Sequence, residues 1–165
     1  MKNRKTEVKW ALIFIAASLG WMFIERLTGL HSTHIDKHMI YTNVFAVIAI
    51  AVYVFALLDK RKNDYSGVMT YKEGFISGLI ITLIVALLSP VTQYLISAFI
   101  APDYFPNIIE YTVSEGLMSR EEAEGYFNLR SYIRQGVIGA LVLGVITSAV
   151  VAFFTKGGTP KSETE

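Results

Sequence analysis

Glu25, His31, His34 and His38 are the residues of this chain whose types and spacing could do chemistry. They include all three histidines of the protein and fall in one stretch, Glu25–Asn43, between the apolar runs Trp10–Ile24 and Val44–Leu58. Imidazoles are ligand types of a zinc site, which takes three or four ligands. At i, i+3 and i+7 the histidines would line one face of a continuous helix, with Asp36 able to add an oxygen. Against this, Gly29 and Ser32–Thr33 predict a turn around His31. There is also no cysteine, no His-Glu-x-x-His and no second histidine cluster to complete a catalytic metal centre. The plainer reading is preferred on the sequence: His34 and His38 cap the next helix or sit at headgroup level. No cofactor is expected.

The elements that position these residues follow from composition. Over 165 residues, hydrophobic side chains make up 53%, charged ones only 18%, and the mean hydropathy is +0.44. A soluble globule of that size would have too little polar surface to cover itself. The expected partner is the lipid bilayer. A net charge of +1 gives no field that would recruit nucleic acid.

The expected architecture is an all-α membrane protein with four transmembrane helices. The predicted spans are 10–30, 40–58, 71–100 and 136–154, each near the 20 residues a bilayer core needs. Lys2, Arg4, Lys5 and Lys9 precede the first, which reads as an uncleaved signal anchor because no small-x-small cleavage site follows it. Thr70-Tyr71-Lys72-Glu73 is a capping box that starts the third span. Pro90 inside that span predicts a kink or tilt near Ser89. Residues 102–135 form the one sizeable insertion. There, Asn107–Glu115 reads as a short helix ended by a left-handed Gly116, and Ser119–Glu122 as a second capping box. A helical hairpin therefore caps one membrane face, and the 156–165 tail is expected to be disordered.

Orientation follows from the basic residues. Lys2, Arg4, Lys5, Lys9, Lys60, Arg61, Lys62, Lys72, Lys156 and Lys161 fall on one side, ten against the five of Arg26, Lys37, Arg120, Arg130 and Arg134. By the positive-inside rule both termini are cytoplasmic and the cap is extracytoplasmic.

Depth then singles out a polar layer. Glu25 lies fifteen residues past Trp10, about 22 Å along the helix and inside the outer leaflet. Arg26, Asn43, Gln93, Arg130 and Arg134 reach the same level, and with Glu25 they form the candidate ligand-binding set. The competing reading is an ion pair of Glu25 with an arginine, Arg130 or Arg134 being better placed than the neighbouring Arg26. That pairing would offset the burial of a carboxylate. Gly136, Ala140, Gly144 and Ser148 recur every four residues on the last span, a seam along which another helix can approach closely. Packing within the chain explains that seam, and a second copy or another membrane protein is the alternative partner. No phosphate loop, nucleophile elbow or paired catalytic carboxylates are present. The leading expectation is a non-enzymatic scaffold or accessory subunit acting through helix–helix contacts. A binder or transporter of a small ligand or metal at the polar layer is the alternative, and a membrane enzyme comes third.

Several separated stretches also resemble one family. They are Trp21–His38, with Glu-Arg-Leu-Thr-Gly-Leu-His at its centre, Tyr53–Asn63, Thr70–Ile80, Ser89–Tyr94, Pro102–Asn107 and Glu121–Tyr132. Together they are similar to a bacterial membrane family, common in Bacteroidota and known as domain of unknown function 4199, over roughly Val8–Thr155. The resemblance implies a multi-pass inner-membrane protein and brings no established activity to any residue.

Overall fold

The computed structural model describes residues 4–157; the expected tail beyond Gly157 lies outside the described residues. Four helices are long and apolar enough to cross a membrane, Lys5–Leu27, Ile35–Asp64, Tyr71–Ile100 and Leu129–Thr155, and no strand occurs among the described residues. The chain is a multi-pass helical bundle. Its large exposed apolar side chains, such as Leu87, Val47 and Phe154, belong on the lipid side of such a bundle.

Three of the four spans begin or end differently from the expectation, for local reasons, and the third runs over 71–100 as expected. α1 (Lys5–Leu27) starts five residues early, because Lys5–Lys9 continues the helix below the apolar run. It stops at Gly29, whose φ of +78° closes a Schellman turn: Gly29 N–H donates to Arg26 O and Leu30 N–H to Glu25 O. The second span is longer than 40–58. α2 (Ile35–Tyr41) passes through a 3₁₀ turn (Thr42–Val44) into α3 (Phe45–Asp64), so the chain is helical from Ile35 onward rather than from 40.

α4 (Tyr71–Leu95) opens with the predicted capping box: Thr70 and Glu73 satisfy each other's backbone amides. It runs through Pro90 without interruption. Pro90 has no N–H for the Ala86 carbonyl four residues back, and Ser89 Oγ donates to that carbonyl instead, at 2.9 Å. A π turn, Ile96–Ile100, ends the span, and Arg26 Nη1 donates to the exposed Ile100 and Phe99 carbonyls, at 2.6 and 3.2 Å. The insertion folds as α5 (Tyr104–Ser114) and α6 (Arg120–Tyr126), with Gly116 at φ +68° and the Ser119–Glu122 box formed. α7 (Leu129–Thr155) begins seven residues before the predicted 136, because Asn128 caps it through Ser131 N–H.

Antiparallel order puts the start of α1 and the end of α7 at one end of the bundle and the α5–α6 cap at the other. The seam on α7 is spent inside the chain over part of its length. A Cβ on Gly144 would stand 2.5 Å from Thr82 Cγ2, and one on Gly78 would stand 2.6 Å from Ser148 Oγ, so α4 and α7 touch almost backbone to backbone. Tyr53 closes the same layer: its hydroxyl lies 2.8 Å from Thr82 Oγ1, and Thr82 lies 3.4 Å from Ser148 Oγ. Gly136 and Ala140 pack differently. They line a cavity of about 160 Å³ with Ser18, Ser89, Thr92 and Gln93.

Candidate functional site: a buried carboxylate between two imidazoles

The cluster starts from one local event. The Schellman turn at Gly29 reverses the chain so that His31, six residues after Glu25, lies back over it. His31 Nε2 sits 3.1 Å from Glu25 Oε2. α2 then carries His38 to the same oxygen, with Nε2 at 3.4 Å. Trp21, one turn below, donates its indole N–H to the other oxygen, Oε1, at 2.5 Å. The Glu25 side chain has no solvent exposure, and those of His31 and His38 have 5% and 14%.

The cap closes the site from above. Tyr104, the first residue of α5, places its hydroxyl 3.3 Å from His38 Nδ1 and 3.1 Å from the Tyr132 hydroxyl on α7. Its ring packs against both imidazoles, with centroids 5.2 and 5.0 Å away. Burial, with Tyr132 beside it, pushes the Tyr104 hydroxyl well above the ordinary tyrosine range, so it remains a neutral phenol at physiological pH. Asn107 donates to the His31 carbonyl at 2.9 Å and fixes the turn to the cap. Two clefts flank the cluster. One of about 160 Å³ is lined by His31, Asp103, Tyr104 and Asn107, and one of about 330 Å³ by Trp21, Glu25, His34 and Tyr41.

The expected partners of Glu25 need correction. Arg130 and Arg134 are exposed on α7, and neither they nor Arg26 form an ion pair with Glu25 among the described residues. Arg26 is occupied with the Phe99 and Ile100 carbonyls of the π turn. Histidines take the place of the arginines because the Gly29 turn delivers His31 first and α2 brings His38 to the same oxygen. The triad of His31, His34 and His38 is not assembled either. The turn interrupts the helical face it assumed, and His34 stands exposed with Nδ1 3.1 Å from the Thr28 carbonyl. Asn43 is exposed and donates to Met39 O, and Gln93 faces the α1–α4–α7 cavity, donating to Ser97 Oγ. Neither touches Glu25.

The sequence reading passed over a second buried polar group, at the opposite end. Glu7, in the first turn of α1, has no exposure and Lys60 on α3 has 1%. Lys60 Nζ lies 3.0 Å from Glu7 Oε2 and 2.9 Å from Asp64 Oδ2, while Ser77 Oγ and Arg4 donate to Glu7 Oε1. A signal was present. Glu7, Ala11, Ser18 and Glu25 are spaced by four, seven and seven, one face of a helix that starts before the apolar run. Trp21, Tyr104 and Tyr132 as neighbours of Glu25 are not legible in the sequence, since an aromatic residue's type does not say which face of its helix turns inward.

A bundle of four apolar spans with an acid enclosed under a helical cap is a multi-pass membrane protein with an internal polar site. The chain belongs to the family described as protein of unknown function, DUF4199, which matches residues 9–157. No curated protein and no solved structure matches it.

Proposed function

We propose that this is a non-enzymatic inner-membrane protein that binds a small ligand under its cap, with both termini cytoplasmic and α5–α6 on the outer side. Glu25 carries this reading. It is a fully buried carboxylate whose charged-group neighbours among the described residues are two imidazoles, groups that are cationic only when protonated. A carboxylate held that way at membrane depth is a standing cost to the fold, and apolar side chains of similar volume would serve stability as well or better. Groups kept against stability are the expected mark of a binding site. The scaffold reading recedes because Gly144 and Ser148, the close-contact half of its seam, face Gly78 and Thr82 of the same chain.

Native mass spectrometry after gentle detergent extraction tests the reading. Wild-type protein should retain a small ligand that the Glu25→Leu/His31→Leu/His38→Leu variant lacks, while that variant stays folded and at least as heat-stable. A wild type that carries no ligand, or a ligand kept equally by the variant, overturns it. A stoichiometric protein partner held by both would restore the accessory-subunit reading.

Sidedness rests on the ten-to-five division of basic residues, with Lys60–Lys62 directly at the end of α3. Reporter fusions after Asn63 and after Glu165 should report cytoplasm, and fusions near Ser32 and Gly116 the opposite side. A cytoplasmic signal from Gly116 would invert the protein and put the cluster at the inner face.

A further inference from the structure

We infer that Glu25, His31 and His38 form a binding site for one divalent first-row transition metal ion, of which Zn²⁺ is the probe. The inference rests on the ligand-binding reading above and names its ligand class.

The geometry is the first argument. One ligand atom from each of the three residues lies within 4.8 Å of the others. His31 Nε2 lies 3.1 Å and His38 Nε2 3.4 Å from Glu25 Oε2. Bonds of 2.0–2.1 Å at a tetrahedral angle separate ligand atoms by about 3.3 Å, so these two edges already have metal-site length.

Unused bonding capacity is the second argument. His38 Nε2, one of the ligand atoms, is buried and makes no hydrogen bond among the described residues. It stands 3.4 Å from Glu25 Oε2. A buried polar atom left that way is costly in a fold that supplies no other partner.

The groups behind the ligands are the third. A metal-binding imidazole is oriented by a hydrogen bond from its other ring nitrogen. Tyr104 stands at His38 Nδ1 for that role, its hydroxyl 3.3 Å away, and a hydrogen bond donated to it by Nδ1–H would leave the Nε2 lone pair free. Trp21 plays the same part for the carboxylate by holding Oε1, so that Oε2 faces both rings. Asn107 holds the backbone that carries His31.

Two imidazoles and one carboxylate suit Zn²⁺, Co²⁺, Ni²⁺ or Fe²⁺ rather than Mg²⁺ or Ca²⁺, which prefer all-oxygen shells. Three protein ligands leave a fourth position for water or another small group. His34 lies outside the set and serves as the built-in control.

The test uses full-length protein in detergent or nanodiscs, purified through a tag free of histidine. After loading with Zn²⁺ and desalting, wild type should hold one equivalent per chain, and Co²⁺ should give the absorption bands of a low-coordinate site. His31→Gln or His38→Gln should weaken Zn²⁺ binding by more than about 100-fold, and Tyr104→Phe, an outer-shell change, by about 10-fold. His34→Gln should leave it unchanged. Excess Mg²⁺ or Ca²⁺ should not displace the ion. Wild type without retained Zn²⁺ and without a Co²⁺ spectrum overturns the inference, whatever the variants do. So does a loss through His34→Gln equal to that through His31→Gln, which would mark surface binding. A non-metal ligand found by native mass spectrometry in protein that takes up no Zn²⁺ overturns the metal and leaves the binding reading standing.

Discussion

Gly144→Leu is expected to lower the midpoint of thermal unfolding by roughly 6–12 °C, the equivalent of about 3 kcal/mol in a chain of this size. A first Cβ at this position would already stand 2.5 and 2.6 Å from Thr82 Cγ2 and Oγ1. Thr82 cannot turn away freely. It is 1% exposed, it donates to the Gly78 carbonyl at 3.0 Å, and it shares a hydrogen bond with Tyr53. α4 and α7 must therefore separate, and every dispersion contact along their seam weakens with distance. Val142→Leu, on the lipid-facing side of the same helix at 52% exposure, is the control and should shift nothing measurable. Tryptophan fluorescence of the detergent-solubilised protein during heating would report both. Equal losses from the two changes would show that the α4–α7 contact is not close-packed.

Lys60→Met should be as damaging, by about 3–5 kcal/mol, the usual effect of removing one side of a buried ion pair. The lysine lies between two carboxylates, at 3.0 Å from Glu7 and 2.9 Å from Asp64, and is 1% exposed. Without it Glu7 retains Ser77 and the outlying Arg4, which is half exposed and screened by water. Removing both charges, in Glu7→Leu/Lys60→Met, should recover a substantial part of the loss, because no uncompensated charge is then left in the interior. The same cycle on Glu25→Ala and Arg134→Ala should show simple additivity, since Arg134 is exposed and forms no pair with Glu25. Strong coupling in the second cycle and none in the first would reverse the assignment of partners made above.

The two ends of α1 show how much of this was legible in advance. Glu25 was recognisable as a buried acid from depth alone, since a carboxylate about 22 Å into an apolar helix has few other places to be. Glu7 shares a helix face with Ala11, Ser18 and Glu25, but the polar residues around it resemble a topology signal in front of a span and mask that spacing. Its partners are decided only when Lys60 and Ser77 arrive from α3 and α4.

The amino-acid sequence by itself determined the four spans, the helical insertion and the signals that start and stop helices. Thr70–Glu73, Ser119–Glu122 and the left-handed Gly29 and Gly116 act within five residues of themselves, and hydropathy acts on each segment alone. Only the tertiary structure decided which groups meet. Glu25 finds His31 and His38 rather than an arginine, and α4 takes up half of the small-residue seam on α7, leaving Gly136 and Ala140 to a cavity. The reason is physical. Hydropathy places a residue in depth along the membrane normal and leaves its rotation about the helix axis open. The choice among partners at one depth depends on that rotation, which packing of the whole bundle sets.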